Sequence, residues 1–287
     1  MPTARELLVE ATSLLEKSSP SAALDARILL EHASGLPRLK LAADPDQQLS
    51  GKVTASFQSA VQRRSQHEPI AYITGRKEFY GAEFLVCPDV LIPRPETEIL
   101  VEKVLQFLNT CPGDSAALDL GTGSGCIAVT LARELKAAGR NFHVSAIDAS
   151  EKALQVAKRN AKQQGVASEI TFITSDWFSA LSNSSDRFDV IVSNPPYIAE
   201  GDTRISPELR FEPAEALYSS SFGLSDILHI LQEGPRFLKP HGKIFFETGF
   251  EQHAAVRELL GQDYGVFESY KDLAGLDRVL VATPARR

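Results

Sequence analysis

Asn194-Pro195-Pro196-Tyr197 is the stretch of this sequence whose residue types are best suited to hold a planar –NH2 group. Two successive prolines restrict the backbone and leave carbonyls that no adjacent N–H competes for. The Asn194 side-chain oxygen and a proline carbonyl then offer acceptors for both hydrogens of an amide or amine. The Tyr197 ring supplies a flat surface against the plane of that group. A carboxamide nitrogen is a poor nucleophile because its lone pair is delocalised into the carbonyl. Two fixed acceptors draw electron density toward nitrogen and stabilise the positive charge that develops there during a direct displacement. In-line placement lowers much of the remaining barrier. No dedicated base is needed, since an N-methylated cationic amide sheds its proton readily. In isolation the tetrad also reads as an ordinary turn, Asn and Pro both being turn residues.

A second constellation has the residue types of a cofactor site. Asp119-Leu120-Gly121-Thr122-Gly123-Ser124-Gly125 lies between a predicted strand and a predicted helix. Glycines allow a tight turn and close approach of a ligand, and the helix N-terminus favours a negative group. The spacing is G-x-G-x-G, with Cys126 where a dinucleotide fingerprint has its third glycine. That disfavours a nicotinamide cofactor, whereas the methionine carboxylate of S-adenosylmethionine needs no pyrophosphate cradle. Asp148 ends the next strand, where a carboxylate can accept two hydrogen bonds from a ribose diol. Asp176-Trp177 follows the third strand, placed to flank an adenine by an edge hydrogen bond and ring packing. The plainer alternatives are a strand-to-helix turn, a capping Asp and a surface Trp. Three such features at the ends of successive strands favour a nucleoside cofactor.

The elements that must position these residues are legible in the periodicity. Candidate strands are 116–120, 142–147, 170–174, 188–193, 243–247, 266–270 and 278–281. Helices are predicted over 124–138, 150–164, 224–237 and 252–260, with another beginning near Thr97. This alternation predicts an α/β fold with a mostly parallel sheet covered on both faces. The last two strands lack room for a crossover between them and are expected to pair antiparallel. Residues 1–75 read instead as a small helical domain. Ala4, Leu7, Leu8, Ala11, Leu14 and Leu15 recur at helical spacing, and Ser19-Pro20 reads as an N-cap with Pro at the first helical position. A helix over 22–33 then ends at Gly35, and Leu49, Val53, Phe57, Ala60 and Val61 share one face before Arg63-Arg64. Residues 76–96 read as a connector, with a hairpin around Gly81 and stiffening at Pro93 and Pro95.

Bulk properties narrow the function. The 287 residues, 43% hydrophobic and 23% charged, suffice for a large domain plus a smaller one. The net charge of -7, from 37 acidic against 30 basic residues, disfavours an enzyme gripping long stretches of phosphate backbone. Cys87, Cys111 and Cys126 are widely spaced, and the histidines are scattered, so neither a disulfide framework nor a metal site is expected. No apolar run has the length of a membrane span and no leader pattern is evident, so the cytoplasm is the expected compartment; a monomer is expected as well.

Taken together, these residues resemble the protein-(glutamine-N5) methyltransferases of class I peptide-chain release factors, the PrmC/HemK family. The likeness includes Pro69-Ile70-Ala71-Tyr72-Ile73-Thr74-Gly75, Glu78-Phe79-Tyr80-Gly81 and Leu91-Ile92-Pro93-Arg94-Pro95-Glu96-Thr97-Glu98. It extends to Glu212-Pro213-Ala214-Glu215-Ala216-Leu217 and Asp272-Leu273-Ala274-Gly275-Leu276-Asp277-Arg278. The resemblance implies a Rossmann-like, seven-stranded class I methyltransferase domain over 97–287, and a helical domain over 1–75 that docks the protein substrate. It implies S-adenosylmethionine as methyl donor, S-adenosylhomocysteine as product, and a release factor's Gly-Gly-Gln glutamine as acceptor. Gly121, Thr122, Gly123, Ser124, Gly125, Asp148, Trp177 and Asn194 would contact the cofactor, and Asn194, Pro195, Pro196 and Tyr197 the glutamine. Ser219-Ser220-Ser221-Phe222-Gly223-Leu224 departs from the more Gly- and Asp-rich turn of such proteins, which leaves that loop's conformation open. Rival readings are a ribosomal-protein glutamine methyltransferase, an adenine-N6 DNA methyltransferase acting on a flipped base, and a binding module that has lost activity. The helical region reads alternatively as a stabilising cap, with Arg63-Arg64 a solvated helix end.

Overall fold

The computed structural model describes residues 1–260 and 263–285; Gly261, Gln262, Arg286 and Arg287, inside the predicted 97–287 region, lie outside the described residues. The chain divides into two compact units, Met1–Arg76 with Ile205–Phe211, and Lys77–Arg204 with Glu212–Arg287.

The first unit holds α1 (Ala4–Leu15), α2 (Ala22–Ser34), α3 (Arg38–Ala43), α4 (Gly51–Ser65) and α5 (Ile70–Thr74). Thr3 and Glu6 close a reciprocal cap on α1. The Thr3 hydroxyl accepts the Glu6 N–H at 3.2 Å and the Glu6 carboxylate accepts the Thr3 N–H at 2.9 Å. Ala4, Leu7, Ala11 and Leu15 turn inward to meet Leu29 and Leu30 of α2 and Phe57 and Val61 of α4. Ser19-Pro20 does not open α2 as its residue types predict; the helix starts at Ala22 after Ser21. The reason is Asp25, whose carboxylate takes the Ser19 and Ser21 hydroxyls at 2.7 and 2.9 Å. The same carboxylate receives Arg64 Nε at 2.7 Å, and Arg64 also pairs with Glu208 at 2.8 Å. Arg64 is therefore buried and fully engaged rather than a solvated helix end, which a charge at that depth requires. Ile205–Phe211 belongs with these helices through such bonds, although it falls inside the span predicted as the second domain.

β1 (Arg76–Phe79), whose first residue is assigned to the first unit and the rest to the second, and β2 (Ala82–Leu85) form a hairpin. Its two turn residues, Tyr80 and Gly81, have φ of 49° and 69°, the left-handed pair of a tight hairpin turn. Next come α6 (Thr97–Leu108), β3 (Ser115–Leu120), α7 (Cys126–Ala137), β4 (Phe142–Asp148), α8 (Glu151–Gln163), β5 (Ile170–Thr174) and β6 (Phe188–Ser193). After β6 come the short pair β7 (Ile198–Ala199) and β8 (Tyr218–Ser219), a turn α9 (Ser220–Gly223), and α10 (Ser225–Glu233). The chain closes with β9 (Leu238–Glu247), α11 (His253–Leu260), β10 (Tyr264–Lys271) and β11 (Asp277–Pro284).

The main sheet runs β10-β11-β9-β6-β3-β4-β5. It is parallel from β9 to β5, and β11 lies antiparallel to both β9 and β10. Alternate strand residues face opposite layers. Ala117, Val144, Val190 and Phe245 pack under α6, α7 and α8, while Leu118, Ile191, Ile244 and Phe246 pack with α10 and α11. Two elements differ from their predicted bounds for local reasons. The predicted helix 124–138 loses its first two residues because Gly125 has φ 81°, outside the helical region. Strand β9 begins five residues before the predicted Lys243, carrying Pro240 and Gly242 through a register shift against β6. Strand order reverses at β3, with β4 on one side and β6 on the other. A crevice beyond the carboxyl ends of β3 and β6 is the place where such sheets receive ligands.

Candidate active site

The loop after β3 is stitched to the end of β4. The Gly121 and Thr122 N–H groups donate to the Ile147 carbonyl, each at 2.9 Å, and Gly123 N–H donates to Asp148 Oδ2 at 2.8 Å. Gly121 and Gly123 have φ of 72° and 54°, and a Cβ on either would project into open space. They shape the turn and leave the approach clear. Gly125 acts differently, because a Cβ there would stand 2.9 Å from the Ala157 Cβ at φ 81°. It lets α7 close on α8. Gly125→Ala is expected to destabilise the protein by about 1–3 kcal/mol through overpacking and left-handed strain, read from urea unfolding; an unchanged midpoint would remove this packing role.

Asp119, fully buried beneath the loop, accepts the Thr122 hydroxyl at 2.7 Å and the Ala128 N–H at 3.1 Å through one oxygen. Its other oxygen has no partner. Burial pushes this carboxyl up from 3.8 to about 7, with the Thr122 and Ala128 bonds opposing. The folded state therefore holds a proton that the unfolded chain has released between those two values. The contribution of Asp119 to stability is greatest below the lower value, declines as pH rises through the window, and is smallest above about 7. Asp119→Asn is expected to remove that decline from the pH dependence of unfolding free energy. An identical slope in both proteins would contradict it.

Asp148 accepts Ser150 N–H at 2.9 Å on Oδ1 as well as Gly123 N–H on Oδ2. Burial raises its pKa, and those two amides oppose the rise. Each carboxylate oxygen keeps a second lone pair for a ligand. The surrounding cavity, about 400 Å³, is lined by Gly121, Gly123, Asp148, Trp177, Asn194 and Pro196 among others. Asp89, Asp148, Asp176, Glu215 and Asp226 are among its lining residues, with no Lys, Arg or His among the described ones. Such walls repel a pyrophosphate and attract a cation. Trp177 sits at φ 43°, with its ring 6.4 Å from that of His229.

The tetrad leaves β6 at the neighbouring strand end. Ser193 anchors this junction, its hydroxyl donating to the Leu120 carbonyl at 2.8 Å. Asn194 Nδ2 donates to Thr97 Oγ1 at 3.2 Å, while Asn194 Oδ1 is buried without a partner. The Tyr197 hydroxyl donates to Glu247 Oε1 at 3.1 Å, and burial together with that carboxylate pushes the phenol's pKa far up. Gln252 Nε2 reaches the Tyr197 carbonyl at 2.9 Å and those of Phe222 and Gly223 at 3.2 Å, binding the Ser219–Leu224 loop to the tetrad. The structure thus brings the Gly loop, Asp148, Trp177, Asn194 and Pro196 around one cavity. Thr122, Ser124, Gly125, Pro195 and Tyr197 are not in its lining: Thr122 bonds to Asp119, and Tyr197 turns to Glu247.

Sequence reasoning missed the residues that brace this site. Glu212 takes the Ile92 N–H at 3.0 Å and Arg94 at 2.6 Å, joining two of the motifs quoted above. Asn160, fully buried, bonds Leu85 through both its amide and carbonyl and donates to the Ser124 carbonyl at 2.8 Å. The available signal was a polar residue on an otherwise apolar face: Asn160 within α8 and Glu247 at the end of Ile244-Phe245-Phe246. Cys111, Asp189 and His241 bring ligand-type atoms within 4.8 Å of one another, but Asp189 is also paired with Lys239 at 2.7 Å.

Residues 6–75 match the PrmC N-terminal domain family, and residues 113–264 match a methyltransferase domain family. The release factor glutamine methyltransferase of Burkholderia pseudomallei is 43% identical over 97% of this chain and 97% of its own length. That of Vibrio cholerae is 41% identical over 96% of this chain and 95% of its own. A bifunctional methyltransferase of Rickettsia conorii is 39% identical over 98% of this chain, which spans 57% of that protein. Among solved structures, the hMettl16 catalytic domain in complex with a MAT2A 3′UTR hairpin has a TM-score of 0.58 at 15% identity, covering 80% of each chain. A methyltransferase from Pyrococcus furiosus has a TM-score of 0.52 at 19% identity, covering 78% of this chain and 96% of that one. At such identities the likeness is one of fold: a Rossmann-like, seven-stranded class I methyltransferase domain preceded here by a helical region.

Proposed function

The chain belongs to the release factor glutamine methyltransferase family, and from that premise we propose that it methylates the side-chain amide nitrogen of the glutamine in the Gly-Gly-Gln loop of class I peptide-chain release factors. The observation that carries the reading is Asn194 Oδ1, a buried acceptor without a partner beside a carboxylate-lined cavity. Bound there, S-adenosylmethionine supplies an electrophilic methyl on a sulfonium. When the cofactor is bound, the acidic walls would suit that cation and its ammonium group, Asp148 would offer its free lone pairs to the ribose diol, and Trp177 would flank the adenine. Gly121, Thr122, Gly123, Ser124 and Gly125 form the turn that admits the methionine end, and Asn194 touches donor and acceptor alike.

Asn194 Oδ1 and the Pro195 carbonyl accept the two amide hydrogens of the glutamine, with Pro196 and Tyr197 flanking its plane. When bound, S-adenosylmethionine would supply the methyl, the electron pair of its C–S bond staying on sulfur as S-adenosylhomocysteine; the amide nitrogen held by the tetrad would take the methyl and release its surplus proton to water. Oδ1 gains most as positive charge develops on nitrogen, so its contribution is larger in the transition state than in the ground state. The helical unit docks the release factor, and the enzyme works as a cytoplasmic monomer. Among the described residues no helix is long and apolar enough to cross a membrane.

Asp148→Asn is expected to raise the cofactor Kd by roughly 10-fold or more, the loss of hydrogen bonds to a charged acceptor. Titration calorimetry reads it, and an unchanged Kd would remove Asp148 from the cofactor site. The overall reading is tested by offering methyl-labelled cofactor with an intact release factor, a ribosomal-protein substrate and DNA in parallel. Label on the release factor alone is expected; label on DNA or the ribosomal protein alone would overturn the assignment.

A further inference from the structure

Asn194 can serve as an acceptor only if its side-chain oxygen, and not its NH2, faces the reacting nitrogen. The two orientations of a side-chain amide have nearly the same shape, so something must select between them. Two residues behind the tetrad, Thr97 at the start of α6 and Glu247 at the end of β9, are each 1% exposed. Thr97 Oγ1 lies 2.7 Å from Glu247 Oε2 and 3.2 Å from Asn194 Nδ2. The second Glu247 oxygen receives the Tyr197 hydroxyl at 3.1 Å. One carboxylate therefore holds both ends of the tetrad, Tyr197 directly and Asn194 through a hydroxyl.

The direction of these bonds follows from donor counting. Burial raises the pKa of Glu247, and the bonds from Thr97 and Tyr197 oppose the rise by favouring the ionised form. In that form the carboxylate accepts only, so the single proton of the Thr97 hydroxyl goes to Glu247 and its remaining lone pairs accept from Asn194 NH2. Asn194 Oδ1 is left turned away from Thr97, which is the atom found without a partner. We propose that Thr97 and Glu247 are positioning residues that set the polarity of the Asn194 amide, so that its oxygen is presented to the substrate amide. The role in turnover rests on the glutamine-methylation reading above; the polarity itself does not.

Three variants separate polarity from mere packing. Thr97→Ser keeps the hydroxyl, Thr97→Val keeps the shape without it, and Glu247→Gln replaces an acceptor-only group by one that can also donate. With a purified release factor and S-adenosylmethionine, Thr97→Val and Glu247→Gln are expected to lower kcat by about 10–100-fold, the usual range for loss of a supporting partner. KM for the release factor should stay within about twofold, and Thr97→Ser should retain most of the wild-type kcat. Independently of any substrate, the Asn194 side-chain NH2 should be protected from hydrogen exchange by NMR in wild type and Thr97→Ser. It should exchange freely in Thr97→Val.

Wild-type kcat in Thr97→Val would overturn the proposal, as would a Thr97→Ser loss equal to that of Thr97→Val, or an effect confined to KM. Equal NH2 exchange in wild type and Thr97→Val would do the same. If Glu247→Gln does not fold, the Thr97 pair still decides. If the wild-type chain fails to methylate the release factor, the functional reading falls, and the exchange measurement alone judges the polarity.

Discussion

Asn194→Ala is expected to lower turnover by about 100- to 1000-fold or more while leaving the fold intact, the range for removing one fixed polar group aimed at developing charge. The structural cost is small because, among the described residues, the Asn194 side chain makes a single hydrogen bond, to Thr97, at 3.2 Å. Its Oδ1 contributes nothing to the ground-state fold, being unpartnered. Deleting it removes an interaction made with the substrate and strengthened in the transition state, so kcat should fall more than KM rises. Steady-state kinetics with circular dichroism as a fold control reads both quantities. Turnover within a few-fold of wild type would show that Asn194 does not cradle the amide.

Gly223→Ala is expected to be almost as damaging, although Gly223 bears no functional group. It has φ 81°, and a Cβ would fall on the Tyr197 carbonyl oxygen, 2.9 Å from its carbon and 2.6 Å from Gln252 Nε2. The obstruction is backbone of the tetrad itself, which cannot swing aside as a side-chain tip would. Gln252 ties the same carbonyl to those of Phe222 and Gly223, so displacement is passed to Tyr197. A shift of about 1 Å in a positioned group can cost on the order of 100-fold in rate. The left-handed conformation adds about 1–3 kcal/mol of instability. Cofactor affinity should change little, because Asp148 and the Gly loop lie on other strand ends. Normal kcat in this variant would show that the close approach of the two loops is dispensable.

Much of this architecture is written locally in the chain. The Gly loop, the Asn-Pro-Pro-Tyr turn and the alternating strands and helices each show within a window of a few residues. Parallel pairing of β3 with β4 and β6 follows from that alternation and brings the motifs to one edge. What stayed hidden depends on partners far apart in sequence. Thr97 and Glu247 are separated by 150 residues, and nothing near either one announces the other. The Asp25–Arg64–Glu208 network similarly converts an apparent surface arginine into a buried one. Backbone punctuation misled in two places: Pro240 and Gly242 bend β9 without ending it, and Ser19-Pro20 serves Asp25 instead of opening a helix. The Ser219–Leu224 loop was unreadable because Ser221 and Phe222 adopt φ of 54° and 60°, conformations that their residue types do not favour.

The central claim is that the methyl group goes to the amide nitrogen of one glutamine, held by the tetrad. Fragment mass spectrometry of a class I release factor after reaction with the enzyme and S-adenosylmethionine tests it directly. A single methyl on the side chain of the Gly-Gly-Gln glutamine, absent with Asn194→Ala, is the predicted result. A methyl on any other residue, or on that glutamine to the same extent with Asn194→Ala, would contradict it.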